Sequence, residues 1–160
     1  MRAWYFSNEE RKLRYNDYRP IVVGETHSVD ITSKPLELCA WGLHASVNIL
    51  DALKYAPGNI LYEVELSGQI LVGDDKVCAE HRTYIREYCI EDILIEFARK
   101  QALINIEKIK PYTNEAEYSL IIEWLTTGNV KVRSAAASAA WSAADNMLTT
   151  MVKDLNDITV

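Results

Sequence analysis

The side chains of this 160-residue chain best suited to chemistry gather in two short stretches, "CAWGLHAS" (39–46) and "LYEVELSG" (61–68). In the first, Trp41, Gly42 and His44 combine an aromatic surface, a residue without a Cβ and an imidazole that can donate and accept hydrogen bonds near neutral pH. In the second, Glu63 and Glu65 alternate, so an extended backbone points both carboxylates to one face. Lining a cleft, one acid would hold a substrate hydroxyl while the other acted as a base. The competing reading is an exposed polar face, shared by Leu61, opposite a buried face of Tyr62, Val64 and Leu66. For His44, a structural imidazole with both nitrogens satisfied competes with a ligand contact. Tyr55, in "ALKYAPG", completes the candidate set: Trp41 and Tyr55 would stack a base, and His44 with Glu65 would hold ribose hydroxyls.

Other reactive patterns are sparse. The sequence contains no GxxxxGK, GxGxxG, GxSxG or HExxH motif and no acidic calcium loop. His27, His44 and His81 are far apart, so no metal site is expected. Cys39, Cys78 and Cys89 make an odd number with no CxxC pair, which indicates neither a disulfide framework nor a zinc knuckle and suits a reducing compartment. No residue is assigned as catalytic. Near the start, Arg2, Arg11, Lys12, Arg14 and Arg19 interleave with Trp4, Tyr5, Phe6, Tyr15 and Tyr18, a mixture that can bind single-stranded nucleic acid. Glu9, Glu10 and Asp17 dilute that charge, and an edge strand followed by a solvated turn accounts for the same residues.

The elements that must position these groups change character along the chain. "RAWYF" reads as a strand and "RPIVVGETHSV" as a β-branched strand ending at a glycine. "SVNILDALKYAPG" reads as a short helix with Leu50, Leu53 and Tyr55 on one side, begun by Ser46 or Asn48 and ended by Pro57-Gly58. "NILYEVELSGQILVGDD" alternates as a strand does. From about Ile90 the period becomes helical. "CIEDILIEFARKQALINIEK" places Ile93, Leu94, Phe97, Ala98 and Ile104 at helical spacing, with acids early and bases later, as the helix dipole favours. "NEAEYSLIIEWLTTGN" opens on Asn114 with Glu117 three residues on and stops at Gly128. "VKVRSAAASAAWSAADNMLTTMVKDL" carries Val132, Ala136, Ala139, Ala143, Met147 and Met151 on one stripe. That stripe packs within the chain or joins two copies in a homodimer. Trp124 and Trp141 are expected to be core or interface anchors.

The expected class is therefore α+β: a small, twisted, mainly antiparallel sheet with one short helix in residues 1–90, and a helical part packed on it in residues 91–160. A chain of this length can bury a full core without disulfides. Its net charge of −6 is shared evenly, with 10 basic and 13 acidic side chains in residues 1–90 and 7 and 10 in residues 91–160. Such a surface argues against nucleic acid as a partner and leaves a basic groove on another protein open. "MRAWYFSNEERKLR" lacks the apolar core of a signal peptide and no stretch approaches a membrane-spanning length, so no membrane association and a cytoplasmic location are expected.

"WGLHAS" followed by "ALKYAPGNILYEVELSG" resembles an uncharacterised domain associated with bacteriophages and prophages. The resemblance covers roughly residues 2–90 and rests on Gly42, His44, Tyr55, Glu63, Val64, Glu65, Gly68 and Lys76. It implies a phage-encoded protein in a host bacterial cytoplasm, where Ala-rich helices carrying Trp often follow the domain. The order of elements in "WGLHASVNILDALKYAPGNILYEVELSG" is also similar to ADP-ribosyltransferases of the poly-ADP-ribose polymerase type, which implies an ADP-ribosyltransferase-like sheet. Against that family's pattern, "AWYFSN" offers Ser7 where a His-Gly is expected, and His44 stands in place of a Tyr. A catalytic Glu would fall near "HRTYIREY", where Glu87 is the candidate.

The functional expectation is an accessory protein that binds a host protein, as an anti-CRISPR-like inhibitor of a bacterial defence system would, with no cofactor and no turnover. The alternative is a nucleotide-binding protein or degenerate ADP-ribosyltransferase-like enzyme holding NAD or a related nucleotide. A third is a structural virion component.

Overall fold

The structure, a computed structural model, describes the backbone of residues 1–157 and the side chains of residues 1–150. It is an α+β protein whose chain divides into two compact units, Met1–Glu91 and Asp92–Val160.

The first unit is a five-stranded antiparallel sheet built on one long hairpin. Its elements are β1 (Arg2–Ser7), β2 (Thr26–Ser28), β3 (Leu43–Ala45), α1 (Ile49–Leu53), β4 (Ile60–Val72) and β5 (Val77–Cys89). The strand order is β1-β4-β5-β2, with β3 also paired to β5. β5 thus has β4 along one edge and, along the other, β3 at Val77–Ala79 and β2 at His81–Thr83. Ser46, just after β3, exchanges two backbone hydrogen bonds with Trp4 of β1 (2.7 and 2.9 Å), which joins the path back to its start.

β4 and β5 run 13 residues each, and β4 lies within the alternating stretch read from the sequence. The hairpin closes through Asp74 and Asp75, with the Gly73 N–H donating to the Lys76 carbonyl (2.8 Å). A register shift between Ser67 and Ile70 is taken up at Gly68, whose φ of +72° is left-handed and where any side chain would meet Glu80.

The alternation read in β4 holds: Tyr62, Val64 and Leu66 are buried while Glu65 is exposed and Glu63 partly so. With Tyr84, Leu43, Val77 and Ala79 they form the core, at roughly 1.5–3 kcal/mol for each large apolar side chain. Leu61 departs from the expected exposed face. It is buried directly opposite Phe6 of β1, which is buried too.

Two other expectations change. Residues 20–23 form no strand; Ile21 enters the core from a loop that folds back on itself, its N–H donating to the Arg11 carbonyl (2.7 Å). Pro20 has no N–H for a ladder and Gly24 turns the chain at φ +91°, so the strand begins only at Thr26. The helix α1 is a five-residue piece, capped by the Asn48 side chain accepting from the Leu50 N–H (2.8 Å). It is too short to define an apolar side, so Ala52 alone is buried while Leu50 and Tyr55 are exposed.

The second unit contains α2 (Glu91–Ile104), two short 3₁₀ turns (Ile106–Lys108 and Lys110–Tyr112), α3 (Glu115–Thr127) and α4 (Arg133–Asp157). α3 starts at the expected capping box: the Asn114 side chain accepts from the Glu117 N–H, and the Glu117 carboxylate accepts from the Asn114 N–H. It ends at Gly128, φ +69°. α4 packs on α3, with Ala136, Ala139 and Ala143 buried along the predicted stripe, so this small-residue face is occupied within the chain. Met151, assigned to the same stripe, lies outside the residues whose side chains are described. Trp124 is half-buried, with the Arg99 and Arg133 guanidiniums 5.5 and 5.7 Å from its ring centre. Trp141 is 78 % exposed, so it takes no part in the core. No residue of α2 is buried, contrary to the stripe read from its sequence. No helix among the described residues is long and apolar enough to cross a membrane.

Candidate functional site

The first unit holds a cleft of about 1080 Å³ bounded by β1, β3, the 13–19 loop, the 28–42 loop and the start of β5. Trp41, His44 and Tyr55 all line it, whereas Glu63 and Glu65 do not. The strand alternation that buries Tyr62 and Val64 turns both carboxylates away, and Glu63 pairs with Arg2 at 3.2 Å. The carboxylate pair considered for acid–base work is therefore separated from the imidazole it would have served.

His44 is held by its own loop. Its Nε2 accepts from the Cys39 N–H (3.0 Å), which assigns a neutral imidazole protonated at Nδ1. Burial pushes its pKa down, the Gly42 backbone opposes this, and Arg82 and Lys76 add to the lowering. Cys39 itself has a left-handed φ of +67° in the turn from Glu37 to Trp41. Gly42 follows at φ +128°, where a methyl group would overlap the Cys78 sulfur and press on Leu36. Burial raises the Cys78 thiol to about 11, and it donates to the Trp41 carbonyl (3.1 Å). "CAWGLHAS" is thus a tightly fitted corner between turn and strand that sets Trp41 on the cleft wall, with the Trp41 indole N–H donating to the Asp30 carbonyl (3.2 Å).

At the bottom of the cleft lies a residue that the sequence reading passed over. Arg82 of β5 is 2 % exposed and lines the cavity. Its guanidinium rests on the Tyr5 ring at 3.7 Å, donates from Nε and Nη2 to the Tyr84 hydroxyl (3.1 and 2.8 Å), and donates from Nη1 to the His44 carbonyl (2.5 Å). With two donors already on its oxygen, Tyr84 directs its own proton to His27 Nδ1 (3.0 Å). Burial lowers the His27 pKa first, with Arg19 and Arg82 adding to it, and burial raises that of Tyr84. Among the described residues no carboxylate forms an ion pair with Arg82.

The rim is aromatic and cationic. Lys76 Nζ stands 4.1 Å from the centre of the Tyr55 ring and donates to Cys39 Sγ (3.2 Å), while the Tyr55 hydroxyl donates to Asp75 (2.6 Å). Lys34 lies over Trp41 at 5.1 Å. The two carboxylates in the lining are engaged: Asp17 by Arg19 (2.6 Å), and Asp30 by Thr32 and Ser33, whose hydrogen bonds lower it to about 2. Glu87 is not on the cleft; it accepts from the Tyr62 hydroxyl (2.6 Å) and pairs with Arg11 (2.9 Å). Among the described residues no cluster of His, Cys, Asp and Glu is arranged to hold a metal.

A signal for Arg82 and Tyr84 existed in the period-2 spacing of "HRTYIREY", which puts the two on one strand face. That the face was the buried one required knowing that Leu66 and Val64 stand opposite them.

Residues 7–96 match the model of a domain of unknown function, DUF7666, and the chain belongs to that family. The match takes in most of the sheet unit and the cleft. No curated protein and no solved structure matches the chain.

Proposed function

We propose that the sheet unit is a binding module whose cleft accepts a small anionic, aromatic ligand of the nucleotide class, NAD and its relatives included, without turning it over. The observation that carries this reading is the cleft itself. It brings Trp41, His44 and Tyr55 together beside Lys76 and Arg82, and it leaves Glu63, Glu65 and Glu87 outside. Aromatic surfaces and cations suit a base and its phosphates, and His44 Nε2 is already committed to the Cys39 N–H. Titration with nucleosides, nucleotides and NAD at up to millimolar concentration tests it. Binding should be seen by heat and by a rise in melting temperature, and Trp41→Ala should weaken it about 10-fold, as the loss of one stacking surface does. No heat and no thermal shift with any of these ligands would overturn the reading.

A second reading, engagement of a host protein as expected of a phage-type inhibitor of bacterial defence, is favoured by α2. Ile93, Phe97 and Ile104 fall within one narrow face of that helix and are 63 %, 38 % and 72 % exposed. A host protein recovered from bacterial lysate by the wild type and lost with Ile93→Glu/Ile104→Glu supports it; equal recovery by both argues against it.

A further inference from the structure

We infer that Arg82 forms an oxyanion subsite at the bottom of the cleft, built to take the phosphate of the ligand; this rests on the cleft reading above and names the group that fixes ligand orientation. A guanidinium carries five N–H donors, and protein groups occupy three of them here: two on the Tyr84 hydroxyl and one on the His44 carbonyl. One N–H on Nη1 and one on Nη2 are left without a protein partner among the described residues. The remaining environment is neutral: the Tyr5 ring beneath, a Tyr84 hydroxyl whose proton goes to His27, and two uncharged imidazoles.

Burying a cation in this way is costly unless it is paired and fully hydrogen-bonded. Structural arginines at such depth normally face a carboxylate, and nothing in the immediate network supplies one. The nearest acids in the lining, Asp17 and Asp30, are already satisfied by Arg19 and by the Thr32–Ser33 turn. The network instead fixes the guanidinium plane, by stacking from below and by hydrogen bonds on three nitrogens, and leaves one N–H on each of Nη1 and Nη2 for an oxyanion. Arginine presents such donors in the planar fork that phosphates and carboxylates accept, which a lysine at the same place would not. Lys76 and Arg19 in the same lining add positive potential along the approach.

The test is a titration of the full chain with adenosine, AMP, inorganic phosphate and acetate, read by heat and by the NMR signal of the Arg82 Nε–H, for the wild type, Arg82→Lys and Arg82→Gln. AMP should bind about 10- to 100-fold more tightly than adenosine, the range expected of charge-assisted hydrogen bonds. Phosphate alone should shift the Arg82 signal, and Arg82→Gln should abolish the advantage of AMP over adenosine. Arg82→Lys should retain only part of the advantage. Adenosine and AMP binding equally, with no phosphate-induced shift, overturns the subsite and leaves the cleft reading standing. Phosphate reaching Arg82 with no nucleoside or nucleotide bound keeps the subsite and overturns the cleft reading. A shift with acetate and none with phosphate reassigns the group to a carboxylate and overturns the phosphate assignment. Because the wild-type signal reports directly, the outcome stands even if Arg82→Gln does not fold.

Discussion

The two units solve the same problem of burial with different materials. The sheet unit buries large aromatic and aliphatic side chains and, among them, four polar residues: Ser7, His27, Ser46 and Arg82. In the helical unit the buried residues, among those described, are Ile121 and three alanines. The alanines gain close helix approach but little area, so each contributes little through burial. The sheet unit, by contrast, has enough apolar burial to offset a desolvated guanidinium and several left-handed non-glycine residues in its loops, Arg11, Tyr15, Asn16, Tyr18 and Cys39. Strain and buried charge collect where the cleft is, and a strained loop at a cavity is a common mark of a binding site. Among the described residues of the helical unit, no non-glycine backbone is left-handed and no charged residue is buried.

The strongest way to break this contrast is Gly42→Ala. The change combines a left-handed φ with overlap against Cys78 and Leu36, and should cost the sheet unit about 3 kcal/mol. Native-state hydrogen exchange should show the loss in β4 and β5 amides and leave α3 and α4 unchanged; an equal loss in both units would mean that they unfold as one. The reciprocal change, Ile121→Ala, removes the one large fully buried side chain described in the helical unit and should cost roughly 2 kcal/mol there. If the α3 and α4 amides kept their protection, the account of that unit's core would be wrong. Smaller still is Asn114→Ala, which breaks the capping box and should lower α3 protection by about 1 kcal/mol.

The last contrast is one of sign. His27, His44 and His81 all lie in the sheet unit. Burial holds His27 and His44 below the ordinary value of about 6.5 that they regain on unfolding. Their contribution is complete above that value and is lost as pH falls below it, because the unfolded chain then binds protons that the folded chain resists. At His27 the charges of Arg19 and Arg82 add to the effect of burial, and its Nδ1 meets the Tyr84 hydroxyl that Arg82 also holds. Urea midpoints between pH 7 and 5 should fall for the β4 and β5 amides and fall less for those of the helical unit. His27→Gln should flatten the sheet unit's slope, and an unchanged slope would remove the network from the explanation.

Period and capping rules reached a good part of this molecule from sequence. The alternation of Tyr62, Val64 and Leu66, the box at Asn114, the stop at Gly128 and the alanine stripe are all local patterns, because each is set by neighbours a few residues away. Trp41, His44 and Tyr55 were also recognisable as a group, through their closeness in the chain. What local pattern could not supply was partnership. Glu63 and Glu65 looked like a chemical pair until β1 placed Arg2 beside Glu63 on the side away from the cleft. Leu61 needed Phe6, and Ile21 needed a loop that returns to Arg11, before either could be assigned to the interior.

Arg82 marks that division most clearly. Period and composition establish that a strand-forming segment carries an arginine and a tyrosine on one face, that the chain is acidic, and that sheet gives way to helix near Ile90. Long-range strand pairing is what makes this face the interior one. Pairing β5 with β4 sets Arg82 opposite Leu66, β1 brings Tyr5 under its guanidinium, and β3 offers the His44 carbonyl. Strand pairing across long sequence separations fixes what surrounds a charge, and those surroundings decide whether an arginine stays a solvated surface group or becomes a buried cation facing a cavity.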